Sequence, residues 1–467
     1  MNYHFIAIGG AVMHNLAIAL KIEGYRITGS DDEIFDPARS RLRAFDLLPE
    51  NEGWFPEKID ETLDAVIVGM HARSNNPELC KAQELGIRIY SFPEFLYERS
   101  KLKKRVVIGG SHGKTTITAM VMHVLKHCDK DFDYLVGSQV KGFEVMVKIS
   151  KTAPLMLFEG DEYLTAPFDP RPKFHLYHPH IALISGIAWD HINVFPDFDG
   201  YVEQFRIFSK QIQPGGVLIY NCEDELVIDI ALKLHHDTRT IPYKIPVYSV
   251  KDYITYLQWK GDLIPLKIFG RHNLQNLAAA WEVCRECDVS DEDFVTAIAS
   301  FEGAARRLEK VASGNGNNVF RDFAHAPSKL KATVEAMKEN HPGSTLVACM
   351  ELHTFSSLNR SFLSHYKHSM QTADVAIVYF NLHTIALKKL SPITKEEVCS
   401  AFEKENLQVF DNSAELFETL MAMEWENANL LLMSSGDFNG IDLCALYRRI
   451  TGKHGAYANS VVASAGS

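Results

Sequence analysis

Between Gly110 and Thr116 the chain reads GSHGKTT, placing two glycines, a lysine and two threonine hydroxyls in a single short loop. Free backbone N–H groups at a helix start attract anions, and glycine lets backbone approach a phosphate that a side chain would hold off. Gly110 and Gly113 suit such a cradle, Lys114 has the reach for terminal phosphates, and the Thr115 hydroxyl suits a magnesium ion. The spacing Gly-x-x-Gly-Lys-Thr-Thr is shorter than the usual phosphate-loop pattern, because position 108 is Ile.

Further along, FEGDEY supplies Glu159, Asp161 and Glu162, and SGIAWDHINVF supplies Asp190 and His191. Carboxylates and an imidazole near a phosphate loop suit the magnesium that bridges nucleotide and substrate, so Thr115, Glu159 and His191 form the candidate metal set. A solvated acidic loop and a structural histidine are the alternatives. Asn273 and Asn276 in GRHNLQNLAAA fall on one helix face, where two amides either read an adenine edge or cap a helix. In FEGAARRLE, Arg306 and Arg307 offer either a guanidinium clamp for phosphate or surface ion pairs. Gly9 and Gly10 follow the first strand without the third glycine of a dinucleotide fingerprint, which speaks against a nicotinamide cofactor. A diphosphate near Gly10 with Asp31 beside a ribose fits there, and so does a plain turn.

These groups need scaffolding. Val106, Val107 and Ile108 are β-branched, and Ile117, Met120, Val121, Val124 and Leu125 recur at helical spacing, predicting strand, loop and helix. LMLFEGDEY, IALISGIAWDH and GGVLIYNCEDE each end an apolar strand, which puts their polar residues at carboxyl ends, where ligands sit in doubly wound sheets. Strand and helix alternate through the first hundred residues and again after residue 304, so the fold class is α/β with parallel sheets. ERSKLKKR, residues 98–105, reads as a charged connector, and SGNGNN, residues 313–318, as a hairpin tip. The expected domains are 1–103, 104–303 and 304–455, with a flexible small-residue tail over 456–467.

A chain of 467 residues has room for about three domains of ~150 residues. A hydrophobic share of 46% and a net charge of −11 fit a soluble protein and argue against non-specific nucleic-acid binding. No apolar run approaches a membrane span of ~18 residues, and MNYHFIAIGG reads as a strand rather than a signal peptide, so a cytoplasmic protein is expected. The eight cysteines are scattered, and Cys284 and Cys287, which lack a second pair for zinc, read as free thiols.

In order, GSHGKTT, EGDEY, DH, GRHNLQN, FEGAARRLE and RDFAHAP resemble the Mur ligase family, ATP-dependent amide ligases of bacterial cell-wall synthesis. The resemblance spans nearly the whole chain. It implies three domains: a Rossmann-like N-terminal domain for the UDP-sugar, a central P-loop ATPase domain, and a Rossmann-like C-terminal domain that closes over the nucleotide. It implies ATP contacts from Gly110, Ser111, His112, Gly113, Lys114, Thr115, Thr116, Asn273, Asn276, Arg307 and Asp322. Lys114, Glu159 and His191 are then catalytic, with magnesium on Thr115, Glu159 and His191. Gly9, Gly10, Asp31, Glu162, His325 and His353 are the implied substrate contacts.

The implied partners are UDP-N-acetylmuramate and a muropeptide or amino acid, in a monomer or weak homo-oligomer. DEYLTAPFDPRPKFHLYHP and LLMSSGDFNGI look like the branch that joins UDP-N-acetylmuramate to L-alanyl-γ-D-glutamyl-meso-diaminopimelate in recycling. ELHTFSSL, with His353, looks like the branch that adds L-alanine. Gly186 and Ala188 stand where these ligases typically carry Asn and Glu, Ala326 stands in place of a second histidine, and Val12 and Asn15 replace glycines. Those departures leave a non-ligating homologue that binds UDP-sugar and ATP as a further alternative.

Overall fold

The computed structural model describes residues 1–453 except 71, 167 and 236, so the tail expected over 456–467 lies outside the described residues. β1 (Asn2–Ile6), β2 (Arg26–Ser30), β3 (Ala65–Val68) and β4 (Ile89–Ser91) form a parallel sheet in the order β2-β1-β3-β4. The helices that alternate with them are α1 (Ala11–Ile22), α2 (Ala38–Ala44), α3 (Pro77–Glu84) and α4 (Phe92–Ser100). Every residue of β3, AVIV, is buried, as a parallel strand covered on both faces requires.

The second sheet holds β5 (Lys104–Gly109), β6 (Phe132–Leu135), β7 (Val147–Lys148), β8 (Leu155–Glu159), β11 (Ile181–Ile184), β12 (Val217–Asn221) and β13 (Arg239–Tyr243). Between β8 and β11, β9 (Leu164–Ala166) and β10 (Asp169–Pro172) form a separate antiparallel pair. The order β13-β12-β11-β5-β8-β6-β7 seats β5 between β11 and β8. Register pairs Ile108 with Glu159 and Gly109 with Ile184, so the loops after β5, β8 and β11 leave the sheet at one level. α5 (Lys114–His127), α6 (Phe198–Lys210), α7 (Glu225–Leu232), α8 (Arg271–Glu286) and α9 (Asp291–Ile298) cover this sheet, which is followed by an antiparallel sheet of β14 (Tyr248–Lys251), β15 (Ile254–Trp259) and β16 (Asp262–Leu266). Cys284 and Cys287 are buried thiols whose pKa values burial pushes up.

The third sheet runs β17-β18-β22-β19-β20-β21, from β17 (Glu309–Gly314), β18 (Asn317–Asp322), β19 (Thr345–Leu352), β20 (Val375–Phe380), β21 (Gln408–Phe410) and β22 (Ala428–Met433). Only β17 pairs antiparallel; its turn uses Asn315 (φ 52°) and Gly316 (φ 77°), both left-handed, the pattern of a tight hairpin at the expected tip. α10 (Pro327–Asn340) follows β18.

The connector at 98–105 is not a loose charged linker. Arg105 is 3% exposed and donates to the carbonyls of Ser100, Lys101 and Tyr177, while Lys103 pairs with buried Asp133. Asn15, in place of a glycine, accepts from the Met146 N–H at 3.0 Å and so ties α1 to the second sheet. Ring contacts dock the third sheet's domain: Phe269 meets Phe320 with centroids 5.8 Å apart, Tyr253 stacks on His341 at 5.2 Å, and Trp189 faces Phe362 at 6.2 Å and His365 at 5.7 Å. Among the described residues, no helix is long and apolar enough to cross a membrane.

Candidate active site

The phosphate loop ends where α5 begins. Its N-cap is Gly113 at φ 73°, with no side-chain cap, so the first N–H groups of α5 stay open to an anion. A Cβ on Gly113 would stand 2.2 Å from Asn276 Oδ1, and one on Gly110 would stand 2.1 Å from Ser185 Oγ, so both glycines are required by close approach.

Lys114 Nζ donates to Gly110 O at 2.7 Å and to Glu162 Oε2 at 2.6 Å. Burial alone would lower the lysine's pKa, but Glu162 and Asp161 outweigh it and raise it. Burial would likewise push Glu162 up, yet Lys114 and His191 hold its carboxyl well below the usual range. Glu162 Oε1 accepts from Tyr201 Oη at 3.2 Å and lies 3.5 Å from His191 Nε2. Beside this cluster, Thr115 Oγ1 donates to Glu159 Oε1 at 2.7 Å, and Glu159 Oε2 takes the Gly137 N–H at 2.6 Å.

Two clusters therefore adjoin at one helix start: Thr115 with Glu159, and Lys114 with Glu162, Tyr201 and His191. The expected metal set is only partly assembled, because His191 is turned toward Glu162. Glu162, expected among substrate contacts, is the counterion of the phosphate-loop lysine. Ser111 spends its N–H on Gly186 O and its hydroxyl on Tyr201 and the Ala188 N–H, so it braces the loop. Thr116 is buried in α5. His112 keeps a buried, unpartnered Nδ1, and burial with nearby Lys329 pulls its pKa down to about 3.

Asn276 stands against the loop, whereas Asn273 is buried and donates to Phe269 O at 3.0 Å. Asp322 is buried and accepts the N–H groups of Leu308 and Ala324, each at 2.6 Å, and burial raises its pKa. Arg307 lies over the Phe323 ring at 4.7 Å. His325 Nε2 reaches Asp190 Oδ2 at 3.6 Å across the domain boundary. His353, just past the end of β19, is brought to Glu351, at 3.5 Å, and to Gly436, which follows β22, not to the phosphate loop.

In the first sheet, Gly9 N–H donates to Asp31 Oδ2 at 2.7 Å, and Gly10 is the uncapped N-cap of α1. Burial raises the Asp31 pKa to about 6. A carboxyl whose folded pKa is raised stabilises the fold fully below its unfolded value, and that contribution is lost as pH climbs through the folded value. Wild-type stability is therefore expected to fall between about pH 4 and pH 6 from this group, and Asp31→Asn is expected to flatten that slope in a pH series of thermal melts. An unchanged slope would mean that Asp31 is ionised without cost.

A cleft of about 510 Å³ is lined from all three sheets' domains, by Val12 and Phe92 of the first, Thr115, Glu159 and Lys173 of the second, and Arg307 and Phe323 of the third. Hard oxygen donors at Thr115 and Glu159 fit a magnesium ion, and the glycine cradle with open α5 N–H groups fits a nucleotide's phosphates. Tyr201 and Lys173 were not foreseen in these positions; Lys173 pairs with Asp161, one of the FEGDEY carboxylates, at 2.5 Å from twelve residues away, and no spacing rule announces that contact.

Three α/β domains that meet at a phosphate loop make the class a nucleotide-using enzyme. Family models match residues 2–104 (Mur ligase family, catalytic domain), 108–284 (Mur ligase middle domain) and 306–436 (Mur ligase, glutamate ligase domain). The UDP-N-acetylmuramate–L-alanine ligase of Caldicellulosiruptor bescii is 32% identical, over 85% of this chain and 87% of its own. A UDP-N-acetylmuramate–L-alanyl-γ-D-glutamyl-meso-2,6-diaminoheptandioate ligase of Haemophilus influenzae is 26% identical, over 94% and 97%. The crystal structure of a murein peptide ligase from Psychrobacter arcticus superposes with a TM-score of 0.66 at 22% identity, covering 97% of this chain and 100% of that one. The chain belongs to the Mur ligase family, and is thus an ATP-dependent amide ligase of peptidoglycan metabolism.

Proposed function

We propose that the protein joins UDP-N-acetylmuramate to the tripeptide L-alanyl-γ-D-glutamyl-meso-diaminopimelate. The observation that carries ligase chemistry at this site is the cleft lined by Thr115 and Glu159 together with residues of the other two domains. The UDP-sugar's carboxylate oxygen forms a bond to the γ-phosphorus of ATP. The bond from that phosphorus to the β–γ bridging oxygen breaks, and its electron pair leaves with ADP. The peptide's amine then adds to the acyl carbon, loses a proton, and phosphate departs. Lys114 and the α5 N–H groups bind the phosphate oxygens and hold them in line. Thr115 and Glu159 would hold a magnesium ion, which would supply charge neutralisation at the phosphates.

The tripeptide reading rests on the resemblance of the stretch from Asp161 to Pro179 to that branch; its β9, β10 and short helical turn lie beside the cleft, which Lys173 lines. L-Alanine as the amine is the second reading, favoured by the 32% identity to an L-alanine ligase. The test is ADP release with ATP, magnesium and UDP-N-acetylmuramate, offering each amine in turn and identifying the amide by mass spectrometry. Turnover with the tripeptide alone is expected; turnover with L-alanine alone moves the protein to the other branch. No product with either, despite nucleotide binding, points to a non-ligating homologue.

A further inference from the structure

Lys329 lies in the first turn of α10, three residues past the N-cap Ala326, which offers no side-chain cap. A cation there opposes the positive end of the helix dipole, and the first turn of α10 contains no acidic residue to offset it. Nothing local explains that choice, and such violations concentrate at functional sites.

The side chain is 26% exposed, with Nζ 3.6 Å from Asp190 Oδ2, an oxygen that His325 also approaches at 3.6 Å. Tight charged hydrogen bonds run to about 2.9 Å, so this shared contact leaves the ammonium's donors largely unspent. Asp190 Oδ1 meanwhile accepts the His191 N–H at 2.8 Å. Lys329 also lies within electrostatic reach of Lys114, Glu162 and Arg307. Lys114 is ion-paired with Glu162, so a cation from the third domain would add charge toward a triphosphate beyond what the paired lysine supplies.

We propose that Lys329 is a phosphate-reading cation: Asp190 holds it loosely while the site lacks a triphosphate, and its ammonium moves to a γ-phosphate oxygen when ATP binds. This rests on the reading of the loop as the ATP site. It also gives the third domain a direct means of distinguishing ATP from ADP, because only the triphosphate supplies the group that draws Lys329 from Asp190.

The test compares binding of the β,γ-imido analogue of ATP with that of ADP, in magnesium, by calorimetry on the full chain. Lys329→Gln is expected to weaken the triphosphate about tenfold or more while ADP affinity changes less than about twofold. Lys329→Arg, which keeps the charge, is expected to retain most of the preference, and it serves if the Gln variant does not fold. In turnover, Lys329→Gln is expected to lower kcat without raising the KM for UDP-N-acetylmuramate. Equal loss of both nucleotides, or loss of neither, overturns the role of Lys329. A wild-type protein that binds neither nucleotide overturns the ATP-site reading itself, and this inference with it.

Discussion

Lys114→Ala is expected to abolish product formation, a loss of about 10³-fold or more, while UDP-N-acetylmuramate binds within about twofold of wild type. The ammonium is held by Gly110 O and Glu162, at the mouth of a helix whose N–H groups are uncapped. Removing it takes away the one cation within the phosphate loop and strands Glu162, whose side chain is 1% exposed. Breaking a buried pair this way costs about 3–5 kcal/mol, so the single variant should also melt early. Adding Glu162→Gln is expected to restore much of the melting temperature and none of the activity. Turnover, sugar binding and thermal melts together check this. Parallel loss of sugar binding in the folded double variant would contradict the assignment of Lys114 to phosphate.

Glu159→Gln should act through the metal. The carboxylate accepts from Thr115 and from the Gly137 N–H, and the amide keeps one acceptor while losing the charge. The magnesium concentration for half-maximal turnover is expected to rise about 10- to 100-fold, with activity partly recovered at high magnesium. Thr115→Val is expected to shift the requirement in the same direction. A titration with unchanged magnesium dependence and reduced activity would make the pair a structural brace.

Much of the scaffold was legible because periodicity is a local property. Val106 to Ile108 and the helical row after Thr116 announced strand, loop and helix, and Asn315-Gly316 announced the hairpin. The pairings inside the site were not legible in that way. Glu162 stands 48 residues from Lys114, and their contact depends on β8 lying next to β5, which no spacing reveals. Glu162 therefore read as a substrate contact. Lys329 passed unnoticed because a lysine in an amphipathic helix is ordinary until the helix is placed against another domain. Asn15 and Lys103 of the connector have the same origin: their partners, Met146 and Asp133, lie across a domain boundary.

The indole of Trp189 adjoins Asp190 in sequence and abuts Phe362 and His365 of the third domain. Its emission therefore depends on whether those rings quench and dehydrate it. With the other four of the chain's five tryptophans replaced by phenylalanine, the emission of Trp189, one residue from the carboxylate that engages Lys329, would report whether the third domain stays against it when nucleotide is added.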